Sequence, residues 1–124
     1  MNDTAQRELE LEENALKQIA QAGFNVDAVQ AYRDNCGVSY TPLYSVNTDG
    51  EVIEEWQDWI GNFEEAFQGE MSTEDFAVEL ANDCYLSGKD VPQWVVNYFD
   101  YEKFERDLFL GDYWEQSGFI FRSL

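Results

Sequence analysis

The segment IEEWQDWIGNFEEAFQGE, residues 53 to 70, holds six carboxylates and four large aromatics in one run. Acidic side chains belong in water and large aromatics in a core, so the segment needs a geometry that separates them. A helix provides it. At about 100° per residue, Trp56, Trp59, Ile60, Phe63 and Phe67 share one face, at the spacing of an amphipathic helix. Glu54, Asp58 and Glu65 fall on the far side, and Glu55 and Glu64 on the flanks. Gly61-Asn62 is the one point where the run could divide into two helices, with Asn62 capping the second.

Upstream, residues 3 to 22 read as a helix stopped by Gly23, with Leu9, Leu16 and Ala20 on one face and Glu12 and Glu13 crowding its edges. A second helix begins at Val26-Asp27 and ends at Gly37, burying Ala28, Val29 and Tyr32. Residues 38 to 50 read as a loop with short extended pieces, punctuated by Pro42 and Asp49-Gly50. Downstream, Ser72-Thr73-Glu74-Asp75 resembles a capping box. Its helix runs to about Leu86 and stops before Gly88, with Phe76, Leu80 and Cys84 inward and Asp75, Glu79 and Asp83 in a neighbouring negative stripe. Pro92 suits the first turn of a short helix carrying Trp94, Val95 and Tyr98. FDYEKFERDLFLG is a helix capped by Asp100, stapled by Phe99 on Phe104 and stopped by Gly111, with Glu102–Arg106 and Lys103–Asp107 as pairs along it. DYWE and FIFR flank Gln116-Ser117-Gly118 and predict a hairpin.

The whole chain has 124 residues, 44% of them hydrophobic and 16% aromatic, enough for one packed domain or two very small ones. Twenty-six acids against 7 bases give a net charge of −19. Such a chain repels nucleic acid and anionic membrane and is steered toward basic partners. The absence of histidine removes the commonest general base and zinc ligand. Cys36 and Cys84 form no CxxC; they read as buried thiols in a reducing cytosol, with a disulfide between them the alternative. The acidic N-terminal stretch is no signal peptide, and no run approaches the ~20 apolar residues of a membrane span.

Specific chemistries fail one by one. SVNTDGEVIEEW places Asn47, Asp49 and Gly50 as in a calcium loop, but Ser45 and Trp56 occupy the terminal ligand positions. Carboxylate pairs are too many for any to stand out as an acid–base couple. There is no glycine-rich phosphate loop and no histidine to activate a nucleophile. Base stacking on aromatics requires a positive groove that seven scattered bases do not supply. No enzyme activity, cofactor or metal is therefore expected. The acidity has two readings. One is solubility, or adaptation to a salt-rich habitat. The other is geometric: B-DNA carries one charge per about 1.7 Å, hence about 20 in a turn of about 34 Å, and the net charge of −19 is of that size.

The phrases FEEAFQGE, STEDFA, NYFDYEKFERDL and GDYW…GFIFR succeed one another over residues 62 to 122. In order and spacing they resemble the ArdA antirestriction family, and the helices from about residue 14 match it more loosely. The family's members are carried by plasmids, conjugative elements and phages. The resemblance implies an elongated, typically dimeric DNA mimic that occupies the DNA-binding cleft of type I restriction-modification enzymes. It further implies that this chain starts at the family's middle piece, without the N-terminal α/β piece. The family has no catalytic residues; its function is spread over surface acids. At matching positions these are Glu64, Glu65, Glu70, Glu74, Asp75, Glu79, Asp83, Asp100, Glu102, Glu105, Asp107 and Asp112. Glu54, Glu55 and Asp58 join them on the helical-face argument alone, and Trp56, Phe63, Phe67, Phe99 and Phe104 are assigned to core.

The expected fold is thus α+β, mostly α. An elongated body comprises a helical unit, residues 1–88, and a small helix-plus-hairpin unit, 89–124, divided near 88 to 92. The expected function is inhibition of a type I restriction-modification enzyme by DNA mimicry in the cytoplasm of a bacterial host. The partner is then a basic DNA-binding protein, with no nucleic acid or membrane bound and a homodimer as the assembly. Alternative targets are a CRISPR effector, another defence system or a nucleoid protein. A different class altogether is a generic acidic interaction module, which would not exclude DNA from its partner.

Overall fold

The computed structural model describes residues 3–86 and 90–124. It is α+β and mostly helical, in the order α1 (Asp3–Gln21), α2 (Val26–Cys36), β1 (Tyr44–Val46), β2 (Val52–Glu54), α3 (Trp56–Ala66), β3 (Phe67–Glu70), α4 (Thr73–Leu80), a π-helical turn (Ala81–Tyr85), α5 (Gln93–Asn97), α6 (Tyr101–Gly111), β4 (Tyr113–Gln116) and β5 (Phe119–Arg122). The chain divides into two compact units, Met1–Glu65 and Ala66–Leu124. Gly88, and with it the start of the expected boundary, lies outside the described residues.

In the first unit, Asn25 caps α2 through its side-chain oxygen, which accepts from the Ala28 backbone N–H at 3.1 Å. Gly37 ends the helix at φ 86°, a conformation that favours glycine, and its N–H closes on the Arg33 carbonyl at 2.8 Å. The core is made by Ala15 and Ile19 of α1, Ala28, Val29 and Ala31 of α2, Leu43, and Trp56, Trp59, Ile60 and Phe63 of α3. Phe63 is its centre, meeting Phe24 and Tyr32 edge-on at 6.3 and 5.7 Å between ring centroids. Trp59 donates its indole N–H to the Pro42 carbonyl at 2.8 Å, which satisfies the one polar atom that its burial would strand. The inward face of α1 is shifted from the expected one. Leu9 and Ala20 are exposed and Leu16 is half-buried, and Ala15 and Ile19 are the buried residues of α1 instead. Tyr32 is half-buried, beside a buried Arg33.

The opening segment is one helix only at its middle. Ile53 and Glu54 belong to β2, which pairs antiparallel with β1 in a hairpin that the sequence reads as loop. Asn47 closes its turn, its side-chain oxygen accepting from the backbone N–H groups of Asp49 and Glu51, both at 2.9 Å. Gly61-Asn62 does not break α3, and the helix runs directly into β3.

The second unit is built on a three-stranded antiparallel sheet in the order β3-β5-β4. Ser117 (φ 56°) and Gly118 (φ 89°) make the tight turn between β4 and β5, the positive-φ pair that a two-residue hairpin needs. Phe119, Ile120 and Phe121 are buried. Phe67 pairs opposite Phe121, with a bulge between Phe67 and Gly69. Phe67 is half-buried, in a strand rather than on the helix its spacing suggests.

Ser72 caps α4, accepting from the Asp75 N–H at 3.0 Å, and Asp100 caps α6, accepting from the Lys103 N–H at 3.1 Å. Phe76 is buried and meets Tyr113 at 4.9 Å. After Leu80 the helix widens, and the Leu86 N–H reaches back five residues to the Ala81 carbonyl at 2.8 Å. That wide turn changes the helical phase of its own residues, so Cys84 is exposed rather than inward, and Ala77 and Ala81 fill the buried face. Both cysteines are free, and Cys36 is only half-buried, so neither is the buried thiol expected. Phe99 and Phe104 do stack, edge to face at 5.3 Å, but both are half-buried. Pro92 stands one residue before α5 as its N-cap, and Gly111 is the last residue of α6 with Asp112 beyond it in right-handed geometry, so α6 does not end on a left-handed glycine.

Candidate functional site

The expected acids fall on solvent-facing positions in both units. On the first, Glu54 ends β2, Glu55 joins it to α3, and Asp58, Glu64 and Glu65 stand on the outer side of α3. All are exposed except Glu55, which is half-buried and accepts a 2.6 Å hydrogen bond from the Ser45 hydroxyl. On the second, Glu70 ends β3, Glu74 and Asp75 occupy the first turn of α4, Glu79 its last turn, and Asp83 the π turn, all exposed. Asp100, Glu102, Glu105 and Asp107 belong to α6 or its cap, and Asp112 comes directly after it. Of these only Glu105 is half-buried, accepting from the Thr73 hydroxyl at 2.5 Å. Glu55, Glu105 and Asp100 thus also hold local structure, whereas Asp58, Glu64, Glu79 and Asp107 sit where a helix faces water.

Two of the expected acids converge. Glu102 and Glu105, with Arg106 and Phe109, form one face of α6, and that face borders a shallow, open cleft of about 390 Å³ also lined by Thr73, Trp114 and Glu115. Trp114 is set flat on Phe121, at 4.2 Å with the planes 17° apart. The sequence does not single out Trp114 and Glu115 as site residues. The alternation of the DYWEQ stretch marks it as a strand but does not tell which neighbour each side chain faces.

Arg33 is likewise not singled out by the sequence. It lies in the first unit, 7% exposed, donating from Nε to the Thr41 carbonyl at 3.0 Å and from a terminal nitrogen to Gln30 at 2.8 Å. Burial pushes its pKa down from the usual guanidinium value, while Glu12 and Asp34 pull it back. This positive group serves the fold of an acidic unit. Burial likewise raises the pKa of the Tyr32 hydroxyl and of the Cys36 thiol, which are hydrogen-bonded to each other.

Among the described residues, no group of three or more histidine, cysteine, aspartate or glutamate side chains is placed to hold a metal ion. No described helix is long and apolar enough to cross a membrane. The arrangement offers exposed carboxylates on α3, α4 and α6, the last two capped by side chains, which suits electrostatic binding to a basic surface.

Comparison with curated proteins and with solved structures gives no match. Comparison with protein families gives one over residues 2–121, to the family described as antirestriction protein (ArdA). With nearly the whole length matched, on a fold whose landmark phrases form β3, α4, α6 and the C-terminal hairpin, the chain belongs to the ArdA antirestriction family.

Proposed function

We propose that this antirestriction protein works by imitating duplex DNA and occupying the DNA-binding cleft of a type I restriction-modification enzyme in the cytoplasm of a bacterial host. The observation that carries the reading is α4 with its π turn. Phe76, Ala77 and Ala81 bury one side, and Asp75, Glu79 and Asp83 run along the side in water. Acids four residues apart on a helix rise by about 6 Å, while a duplex presents one charge per about 1.7 Å over its two strands. One stripe is sparser than DNA, so the imitation draws also on Asp58, Glu64 and Glu65 of α3 and on Glu102 and Asp107 of α6. The partner supplies a basic cleft and no catalysis is asked of this chain. Self-association is part of the proposal, through apolar surface of the second unit, where Trp94 and Tyr98 are 65% and 84% exposed.

The test is a competition titration on the restriction enzyme at several salt concentrations. Duplex DNA displaces the protein, binding weakens steeply with salt, and Asp75→Asn, Glu79→Gln and Asp83→Asn together weaken it more than any one alone. A complex that forms equally well on DNA-loaded enzyme, or that is abolished by a single exposed acid, overturns the proposal and leaves an acidic interaction module that binds elsewhere.

A further inference from the structure

The first unit carries an open strand edge. The Asn47 N–H donates to the Glu51 carbonyl at 3.0 Å and the Glu55 N–H to the Leu43 carbonyl at 3.1 Å, with Ser45 opposite Ile53 between them. Hydrogen-bonded and non-hydrogen-bonded pairs alternate along an antiparallel ladder. Leu43 with Glu55, Ser45 with Ile53 and Asn47 with Glu51 are therefore the bonded pairs, and the N–H and C=O groups of Val52 and Glu54 point away from β1. Among the described residues, none takes these outward groups. The hairpin is also apolar where it is open. Val52 and Val46 lie opposite each other on one side and Ile53 on the other, 42%, 48% and 45% exposed. Around them stand Asp49, Glu51 and Glu54, all exposed, and Gln57 donates to the Glu54 carboxylate at 2.8 Å. The sequence holds no lysine or arginine from residue 34 to 88. Exposed strand edges are commonly blunted by lysine, proline or a bulge; β2 has only its shortness and its acids. A second copy laid antiparallel along the edge, Ile53 against Ile53, sets Glu51 opposite Glu55 on both sides of the axis, and like charges directly opposite are destabilising. The charge selects a basic strand instead.

We propose that the outer edge of β2 takes an added antiparallel strand from the basic partner, an extended segment with two β-branched residues between two lysines or arginines. The inference rests on the basic partner proposed above and gives that partner a main-chain contact beside the diffuse charge. The added strand bonds to the outward groups of Val52 and Glu54 and lays its apolar pair beside Val52 and Ile53. Its two bases then stand opposite Glu51 and Glu54. Backbone pairing supplies the contact in this mode of recognition, and the side chains alongside it supply the selectivity.

The test uses the full chain, labelled with nitrogen-15, and two probes: the acetylated, amidated hexapeptide Thr-Lys-Val-Val-Lys-Thr and its Thr-Glu-Val-Val-Glu-Thr counterpart. The backbone amide signals are followed through each titration. The expected result is a saturable shift of the Val52 and Glu54 amides, with their hydrogen exchange slowed in the complex, and the lysine peptide roughly fivefold tighter than the glutamate one, as two cross-strand charge pairs would give. Val52→Pro removes one outward N–H and keeps the hairpin's own bonds, at an edge position where proline is tolerated. It should weaken the lysine peptide roughly fivefold, with the unfolding midpoint as the check on fold. Glu51→Gln combined with Glu54→Gln leaves the backbone untouched and should bring the two peptides to equal affinity. A shift that never saturates, shifts spread over the acids of α3, α4 and α6 instead of β2, or equal affinity of the unsubstituted protein for the two peptides overturns the proposal. So does undiminished binding by a folded Val52→Pro variant, or a preference that survives the double substitution. The outcome is separable from mimicry: the Asp75, Glu79 and Asp83 triple variant, altered in the other unit, keeps the β2 response while its inhibition weakens. A failed DNA competition with an intact β2 response strikes only the mimicry reading, and a lost β2 response with intact competition strikes only the added strand.

Discussion

Replacing Glu79 with glutamine is expected to stabilise the protein and weaken its function at once. Glu79 is exposed, four residues from Asp75 in α4 and four from Asp83 in the π turn. With carboxylates about 7 Å apart in water, Coulomb's law gives about 0.6 kcal/mol of repulsion per pair, near the ~0.2–0.5 kcal/mol found for like charges at this helical spacing. Relieving both pairs therefore adds about 0.4–1 kcal/mol of stability at low salt. With a urea dependence of about 2 kcal/mol per molar, the unfolding midpoint rises by about 0.2–0.5 M. At 1 M salt the screening length falls to about 3 Å, and most of that gain disappears. Urea titrations of the two proteins at low and high salt measure it, beside a titration of restriction-enzyme inhibition in which the variant is slightly weaker. A midpoint that falls, a gain indifferent to salt, or inhibition abolished outright would refute the reasoning that these acids oppose folding and serve binding.

Phe63→Ala, which empties the centre of the first unit, is expected to destabilise by about 3–5 kcal/mol. Phe104→Ala should cost about half as much, since that ring is half-buried; urea unfolding that ranks the two in the opposite order would count against the packing described. The half-buried Cys36 thiol has a raised pKa, so the unfolded chain gives up its proton first: its contribution is intact below the ordinary value of 9.0 and is lost as pH climbs past it. Cys36→Ser is therefore expected to flatten the decline of the unfolding midpoint above that pH, while the slope due to Tyr32 begins above 10.0. Light scattering at micromolar concentration should report a species larger than the monomer, reduced by Trp94→Ser; a wild-type monomer refutes self-association.

What the sequence made legible was local. The caps at Ser72 and Asp100, the stop at Gly37 and the turn at Ser117-Gly118 each depend on groups within a few residues. What it hid depends on distant partners. The helical period of Trp56, Trp59, Ile60 and Phe63 continues unbroken to Phe67, and nothing nearby tells that β5 claims Phe67 for a strand. Cys84 holds helical phase with Phe76 and Leu80 until the π turn rotates it outward, and that turn has no mark in the local pattern. The acids were legible as surface because charge avoids the core. That Glu102 and Glu105 border a common cleft was not, because the cleft exists only where α6 meets β4 and the start of α4.

The middle strand of the sheet, β5, comes roughly fifty residues after its partner β3 in the chain. At about 5–20 residues per second on the ribosome, that separation is about 3–10 s. For that interval Phe67 lacks the strand that packs it and β3 has no sheet neighbour, whereas β4 precedes β5 by only the hairpin turn. The nascent second unit thus passes through a period with aromatic surface uncovered, while the high negative charge of the chain keeps neighbouring copies apart. The acidity proposed above to serve binding would then also protect the chain from aggregation before it is finished.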